Sequence, residues 1–111
     1  MDIMNSINND LNIYDYEYNN IKYKVQDTNN FISMQVCIKN DICVMSMQKT
    51  KTKHIMLPIP LKHKYKNILM DVLYDYCKYK NYVIYALLSN NEYDDFLSQY
   101  GTIINNVFVS K

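Results

Sequence analysis

The stretch from Ile55 to Leu88, IMLPIPLKHKYKNILMDVLYDYCKYKNYVIYALL, constrains the fold of this chain more than any other. Pro58 and Pro60 carry no amide donor, so the apolar run that contains them cannot continue inside a sheet, and the second proline hands the chain to a helix start. From Leu61 to Cys77 the apolar residues Leu61, Tyr65, Ile68, Leu69, Val72, Leu73, Tyr76 and Cys77 recur at three- and four-residue steps. That is the stripe of an amphipathic helix, with Lys62, Lys66, Asp71, Asp75 and Lys78 off it. The run YVIYALL, Tyr82 to Leu88, is too short for a second long helix and rich in β-branched and aromatic residues, so it reads as a buried central strand. A striped helix has to cover something, and the strands around it supply a sheet. The expected class is α+β, with one domain over residues 1–111.

Two readings of the amino terminus compete. Met4, Ile7, Leu11, Tyr14 and Tyr18 follow helical spacing with Asp2 near the start, and an amino-terminal helix is the expectation on that basis. In the other reading Tyr14, Tyr16 and Tyr18 alternate with Asp15 and Glu17. An Asn19-Asn20 turn then sets Glu17 opposite Lys22 and Asp15 opposite Lys24. Ile21, Tyr23 and Val25 alternate with Lys22, Lys24 and Gln26 as a strand, and DTNN follows as a turn. An Asn40-Asp41 turn next places Ile38 opposite Cys43, Val36 opposite Met45 and Met34 opposite Met47, with Gln35 facing Ser46 and Ser33 facing Gln48 on the polar side. The KTKTK segment leaves this hairpin as a polar loop or frayed edge.

Beyond the central strand, Ser89 to Tyr100 also divides. Ser89 and Glu92 match a capping box, with Tyr93, Phe96, Leu97 and Tyr100 at helical spacing before Gly101. Alternatively an Asn90-Asn91 turn returns Tyr93 to Gln99 antiparallel to Tyr82–Leu88. TIINNVFVSK reads as a terminal strand.

Charge is uneven. Residues 49–80 carry eight lysines against Asp71 and Asp75, a local +6, while residues 1–48 carry −3 and residues 81–111 carry −2, giving the overall +1. Lys49, Lys51, Lys53, Lys62, Lys64 and Lys66 could face a phosphate backbone; a solvated loop and helix face is the plainer reading. The longest apolar runs fall far short of the roughly 20 residues of a membrane helix, and the amino terminus shows no charged-then-apolar leader, so an intracellular chain is expected. Three cysteines cannot all pair with one another, and Cys37 and Cys77 fall within expected elements, so reduced packing thiols fit better than a disulfide framework. Cys37, Cys43, His54, His63 and Cys77 lack metal-ligand spacing, and no metal or cofactor is expected. With Gly101 the lone glycine, no phosphate-cradling or dinucleotide loop can form. Met34, Met45 and Met47 read as core.

The run from Ile42 to Gly101 is an apolar strand, a basic loop, a strand ending in LPIP, a helix ending in NILMDVLYDYC, and then YVIYALLSNNEYDDFLSQYG. In this order it resembles the carboxy-terminal domain of the tRNA-splicing endonuclease subunits. The likeness is strongest to the small accessory subunit of the Sen-fifteen type, with Ala86 in the apolar strand and Tyr23-Lys24-Val25 where that subunit has an aromatic near its first strand. The resemblance implies a nuclease-like α+β domain of helix, antiparallel meander, long helix and closing strand pair, and it favours the hairpin reading of residues 89–99. It also implies a non-catalytic structural subunit that pairs with a catalytic one in the nucleus and touches pre-tRNA only indirectly. In that family the catalytic subunits cut introns from pre-tRNA without metal, using a Tyr, a His and a Lys.

That chemistry needs a base for the 2′-hydroxyl, an acid for the leaving oxygen and a cation for the phosphate charge. Where the family histidine falls, this chain reads VQDTNNFISMQV, Val25 to Val36, with no histidine, glycine or proline. Lys78 or Lys80 lies near the place of the family lysine, but lysines at a helix end also suit its dipole. The expected chain is therefore not an enzyme and has no catalytic residues. Its partner contacts are expected at Tyr93, Asp95, Phe96, Leu97 and Gln99, and at Ile104, Val107, Phe108 and Val109, where a terminal strand leaves backbone unpaired. For the isolated chain the oligomeric state stays open, with a homodimer as one alternative. Two other readings stand beside this one: a small stand-alone interaction or inhibitor module of viral or bacterial type with no RNA role, and a metal-free RNA endonuclease using His54 or His63.

Overall fold

The computed structural model describes residues 13–51, 53–57 and 62–111. Among them the chain is mixed α+β, with eight strands in a largely antiparallel sheet and two helices. In chain order the strands are β1 (Ile13–Tyr18), β2 (Ile21–Asp27), β3 (Phe31–Ile38), β4 (Asp41–Lys51), β5 (His54–Met56), β6 (Val83–Leu87), β7 (Gly101–Ile104) and β8 (Val107–Ser110). Helix α1 (Lys66–Lys80) lies between β5 and β6, and the single-turn α2 (Asp94–Leu97) between β6 and β7. Across the sheet the order is β1-β2-β3-β4-β5-β6-β8-β7, antiparallel everywhere except between β5 and β6.

Asparagine does the work of glycine in the turns. Asn19 and Asn20 (φ 47° and 66°), and Asn105 and Asn106 (φ 51° and 63°), hold two-residue hairpin turns in the left-handed region. Its short polar side chain makes asparagine one of the few residues that adopts this backbone cheaply. The first of these turns decides the amino-terminal ambiguity. Residues 13–18 form a strand, not the expected helix, and pair Asp15 with Lys24 and Glu17 with Lys22. Met4, Ile7 and Leu11 of the expected helical seam lie outside the described residues.

The β3–β4 hairpin keeps the expected apolar face with a register two residues away. Its turn is Lys39-Asn40 rather than Asn40-Asp41, so Val36 meets Cys43, Met34 meets Met45 and Ile32 meets Met47. A slip of two leaves every side chain on the same face. Hydrophobic alternation therefore cannot choose between the registers, and the choice falls to Lys39, which takes φ 56°.

Helix α1 begins at Lys66 and runs to Lys80, later at both ends than the expected Leu61–Cys77. Residues 58–61, with both prolines, lie outside the described residues. The His63 ring accepts the Tyr65 amide at Nδ1 (3.0 Å), and the His63 carbonyl accepts the Lys66 amide (3.1 Å), so a turn precedes the helix. At the far end Asn81 turns left-handed, and the Asn81 and Tyr82 amides donate to the Lys78 and Cys77 carbonyls. The stripe then buries Leu69, Val72, Leu73, Tyr76 and Cys77, joined by Met70.

Three expectations for the carboxy-terminal third are corrected. Tyr93–Gln99 does not return as a strand beside β6; the antiparallel neighbour of β6 is β8. Its centre is α2 instead, and the Ser89–Glu92 capping box is absent, since the Glu92 amide bonds the Asn90 side chain (2.9 Å). The terminal strand is a β7–β8 hairpin, so the closing pair is built inside the last eleven residues.

All the buried residues collect on the one face of the sheet that α1 and α2 cover, including Met34, Met45 and Met47 as expected. Strand β6 is central in order but buried on one side only: Ile84 and Ala86 point into the core, while Leu87 is 75% exposed. Gly101 sits where β8 passes closest, and a Cβ there would run into the Val109 carbonyl. Gly101→Ala should therefore destabilise the fold by about 1–3 kcal/mol, the usual cost of overpacking, read as a lower urea midpoint with an unchanged slope.

Candidate functional site

The chain presents two features with functional potential, one on each side of the sheet. On the covered side, a carboxylate and an ammonium group meet beside the end of α1. Asp27 closes β2 at a core-facing position, and Lys49 occupies the same face of β4. Lys49 Nζ lies 2.6 Å from Asp27 Oδ1, with the two side chains only 10% and 11% exposed. The Tyr76 and Tyr82 hydroxyls both donate to Asp27 Oδ2, at 2.6 and 2.8 Å, and Lys49 also reaches the Tyr82 hydroxyl at 3.3 Å. One carboxylate thus ties two strands, the helix and the segment leading into β6.

Electrostatics follow from this geometry. Burial by itself raises the Asp27 pKa, but the Lys49 and tyrosine hydrogen bonds outweigh it and hold the carboxyl below its usual value. For Lys49 burial pulls the other way from the Asp27 bond, which wins and raises the amine. Tyr76 is pushed up, first by burial and then by donating to Asp27. The buried Cys77 thiol is pushed up to about 12, again chiefly by burial, so it is a packing residue and not a nucleophile. Cys37, expected to pack, is exposed on the opposite face.

That opposite face is uncovered among the described residues. Cross-strand pairing lines up Leu87, Val107 and Ile104 in one row and Met56, Tyr85, Val109 and Thr102 in the next. Ile42 and Val44 are exposed on the same side nearer the start of β4, opposite Cys37 and Gln35, with Ser46, Gln48 and Thr50 between them and β5. Leu87, Ile42, Ile104 and Val44 are each more than 60% exposed. From β3 to β7 the described side chains on this face include no Asp, Glu or Lys. A shallow groove of about 410 Å³ crosses it between Thr50, His54, Val83, Tyr85, Val107 and Val109.

No family model, curated protein or solved structure matches this chain.

The expected contact residues divide between the two sides. Ile104, Val107 and Val109 lie on the open face, and β7 is the sheet edge. Phe108 and Leu97 are fully buried core residues and present nothing to a partner. Tyr93 and Phe96 are half-buried, with Lys66 Nζ over their rings at 5.4 and 5.0 Å, and Asp95 and Gln99 are exposed beside them. The lysines expected near phosphate are differently engaged. Lys49 turns inward, Lys64 pairs with Asp41 at 3.7 Å, and Lys53 and Lys62 are exposed. The side chain of Lys51 is outside what the structure describes. The Asp27 cluster and Leu87 went unread in the sequence, although Asp27 and Lys49 both break an apolar alternation at core-facing positions.

No described helix is long and apolar enough to cross a membrane, and no three metal-ligating side chains converge among the described residues.

Asp27→Asn should leave the Lys49 ammonium buried without its counter-charge and destabilise the protein by about 3 kcal/mol near neutral pH. Because the Asp27 pKa is lowered in the fold, its contribution is complete above the ordinary carboxylate value of about 4 and is lost as pH falls through the folded value. Because the Lys49 pKa is raised, its contribution is complete below about 10.4 and is lost as pH rises through the folded value. Urea titrations of wild type and variant should accordingly converge in acid. A constant gap from neutral pH to strong acid would refute the ion pair's role.

Proposed function

We propose that this chain is a non-catalytic protein-binding subunit whose open sheet face docks against an uncharged, apolar surface of a larger protein. The observation that carries this reading is the apolar face that no described residue covers. Monomeric soluble proteins rarely leave contiguous apolar surface of this kind bare, and where they do it usually marks an interaction site. The exposed side chains of the two rows, Leu87, Ile104, Met56 and Val109, would be met best by apolar groups of a partner.

In its narrower form the partner is a catalytic subunit of the tRNA-splicing endonuclease, and the pairing supports intron removal from pre-tRNA in the nucleus. The resemblance over residues 42–101 carries that form. The order of meander, helix and returning strand is compatible with it. The chain's own residues favour a supporting role over cutting. His63 is engaged as a local acceptor for the Tyr65 amide, and His54 stands on the open face in β5. Within the expected contact set, the reading retains Ile104, Val107 and Val109 and adds Leu87 and Met56.

Leu87→Asp combined with Ile104→Asp tests the docking face, since both side chains are exposed, at 75% and 66%, and their replacement leaves the core intact. The variant should remain folded and lose its partner in copurification, while wild type retains it. A variant that still binds like wild type would overturn the reading. Coexpression with a tRNA-splicing catalytic subunit tests the narrower form: a stable heteromer is expected, and a chain that stays monomeric beside that subunit removes it. Sedimentation of the isolated chain separates a second copy as occupant, because the same two substitutions would then split a homodimer.

A further inference from the structure

Beside the Asp27 carboxylate lies a cavity of about 340 Å³, on the helix-covered side and so independent of the docking face. Its volume falls within the range of small-molecule sites, roughly 300–1,000 Å³. Its walls come from β1, the turn after β2, β4, the last turn of α1 and Tyr82, so the folded sheet and helix assemble it. Asp27 and Lys49 neutralise each other at its base, and Lys80 adds a second ammonium group, exposed at the rim. One carboxylate against two cations leaves the lining with one positive charge. At this end of α1 two of the last carbonyls already accept amides, Cys77 O from Tyr82 (2.8 Å) and Lys78 O from Asn81 (3.2 Å), and the Lys80 ammonium offsets the negative end of the helix dipole.

The aromatic wall also has an unused face. Tyr16 is stacked on Tyr23 and edge-on to Tyr76, whereas Tyr14, 53% exposed, has no ring stacked on it among the described residues. Aromatic walls can also hold a cationic ligand. Here Lys49 already sits 4.8 Å from the centre of the Tyr82 ring, and with Lys80 it would repel a further cation. The groups left open are a flat ring, an ammonium group and the Asn29 amide at the edge. Stacking together with phosphate pairing is how proteins hold unpaired nucleotides.

We propose that this cavity binds a nucleotide, its base stacked on Tyr14 and its phosphate paired with Lys80. The same chemistry is offered by a free mononucleotide and by one unit of a single strand. Calorimetric titration of the full chain with AMP and with UMP should give saturable one-site binding, and adenosine, uridine or inorganic phosphate alone should bind more weakly. Tyr14→Ala and Lys80→Gln should each weaken nucleotide binding about tenfold while leaving thermal stability nearly unchanged, because both side chains are exposed. Leu87→Ala, a control at an exposed residue on the opposite face of the sheet, should bind like wild type. A uridine hexamer that binds no more tightly than UMP assigns the free nucleotide, and one that binds far more tightly assigns a strand. No saturation at millimolar nucleotide would overturn the proposal. So would wild-type binding by both cavity variants, or an equal loss in the Leu87 control.

Discussion

The parallel pairing of β5 with β6 is the constraint on which the rest of the structure depends. Two parallel neighbours cannot be joined by a hairpin, so the chain between them must cross over one face of the sheet. Residues 62–82 make that crossing, and α1 brings its apolar stripe down on the same side as Ile55, Ile84 and Phe108. Once the helix has chosen that side, strand alternation fixes the fate of every other residue. Tyr23, Val25, Ile32, Met34, Val36, Met45 and Met47 become core, and their neighbours in sequence are turned to the bare side. The slab that results is 21 Å through its thinnest direction against 52 Å through its longest, which is what a sheet with helices on one face gives. The exposed apolar side chains on the other face are therefore a consequence of the crossover and of the residues at the outward positions of β4 to β8.

Much of this was legible in the sequence because it rests on short periods. The alternation in β2 to β4 and the stripe from Tyr65 to Cys77 each specify a face, and faces are what the fold preserved. Registers and ends were less legible. The β3–β4 register moved by two because both pairings keep the same residues inside. The start of α1 moved because the segment after the prolines first makes a turn held by His63. The hairpin at Asn105-Asn106 was hidden by composition: in a chain this rich in asparagine a pair of them carries little signal, although with one glycine available asparagine is the residue left to hold left-handed turns. At residues 13–18 the tyrosines fit both periods, and the cross-strand charge pairs with Lys22 and Lys24 were the better guide.

The Asp27 cluster was hidden for a different reason. Its hydrogen bonds span 22, 49 and 55 residues, so no local motif can contain it. A weaker signal was present. Asp27 continues the inward series Tyr23, Val25, and Lys49 continues the inward series Met45, Met47. Two opposite charges, each at a position that alternation assigns to the interior, are best accommodated by pairing with one another, because a lone buried charge is far more costly than a hydrogen-bonded pair. Tyr76 and Tyr82 then both donate to Oδ2, the oxygen that Lys49 leaves open, which no inspection of either residue's neighbours in sequence would indicate.

The same reasoning separates charge in sequence from charge in space. The lysine-rich block at residues 49–80 has the composition of a phosphate-facing strip, yet the fold sends its members in different directions. Lys49 is consumed by Asp27, Lys64 lies by Asp41 and over the Tyr65 ring, Lys66 covers Phe96, and Lys78 lies over Tyr74. Ammonium groups resting on rings and carboxylates are already partly compensated, and spread over strand, turn and helix they do not sum to one field. Lys80 differs because it stands at the mouth of a concavity whose base is internally neutral. A count of lysines along the sequence therefore does not say which ammonium groups the fold has already given a partner.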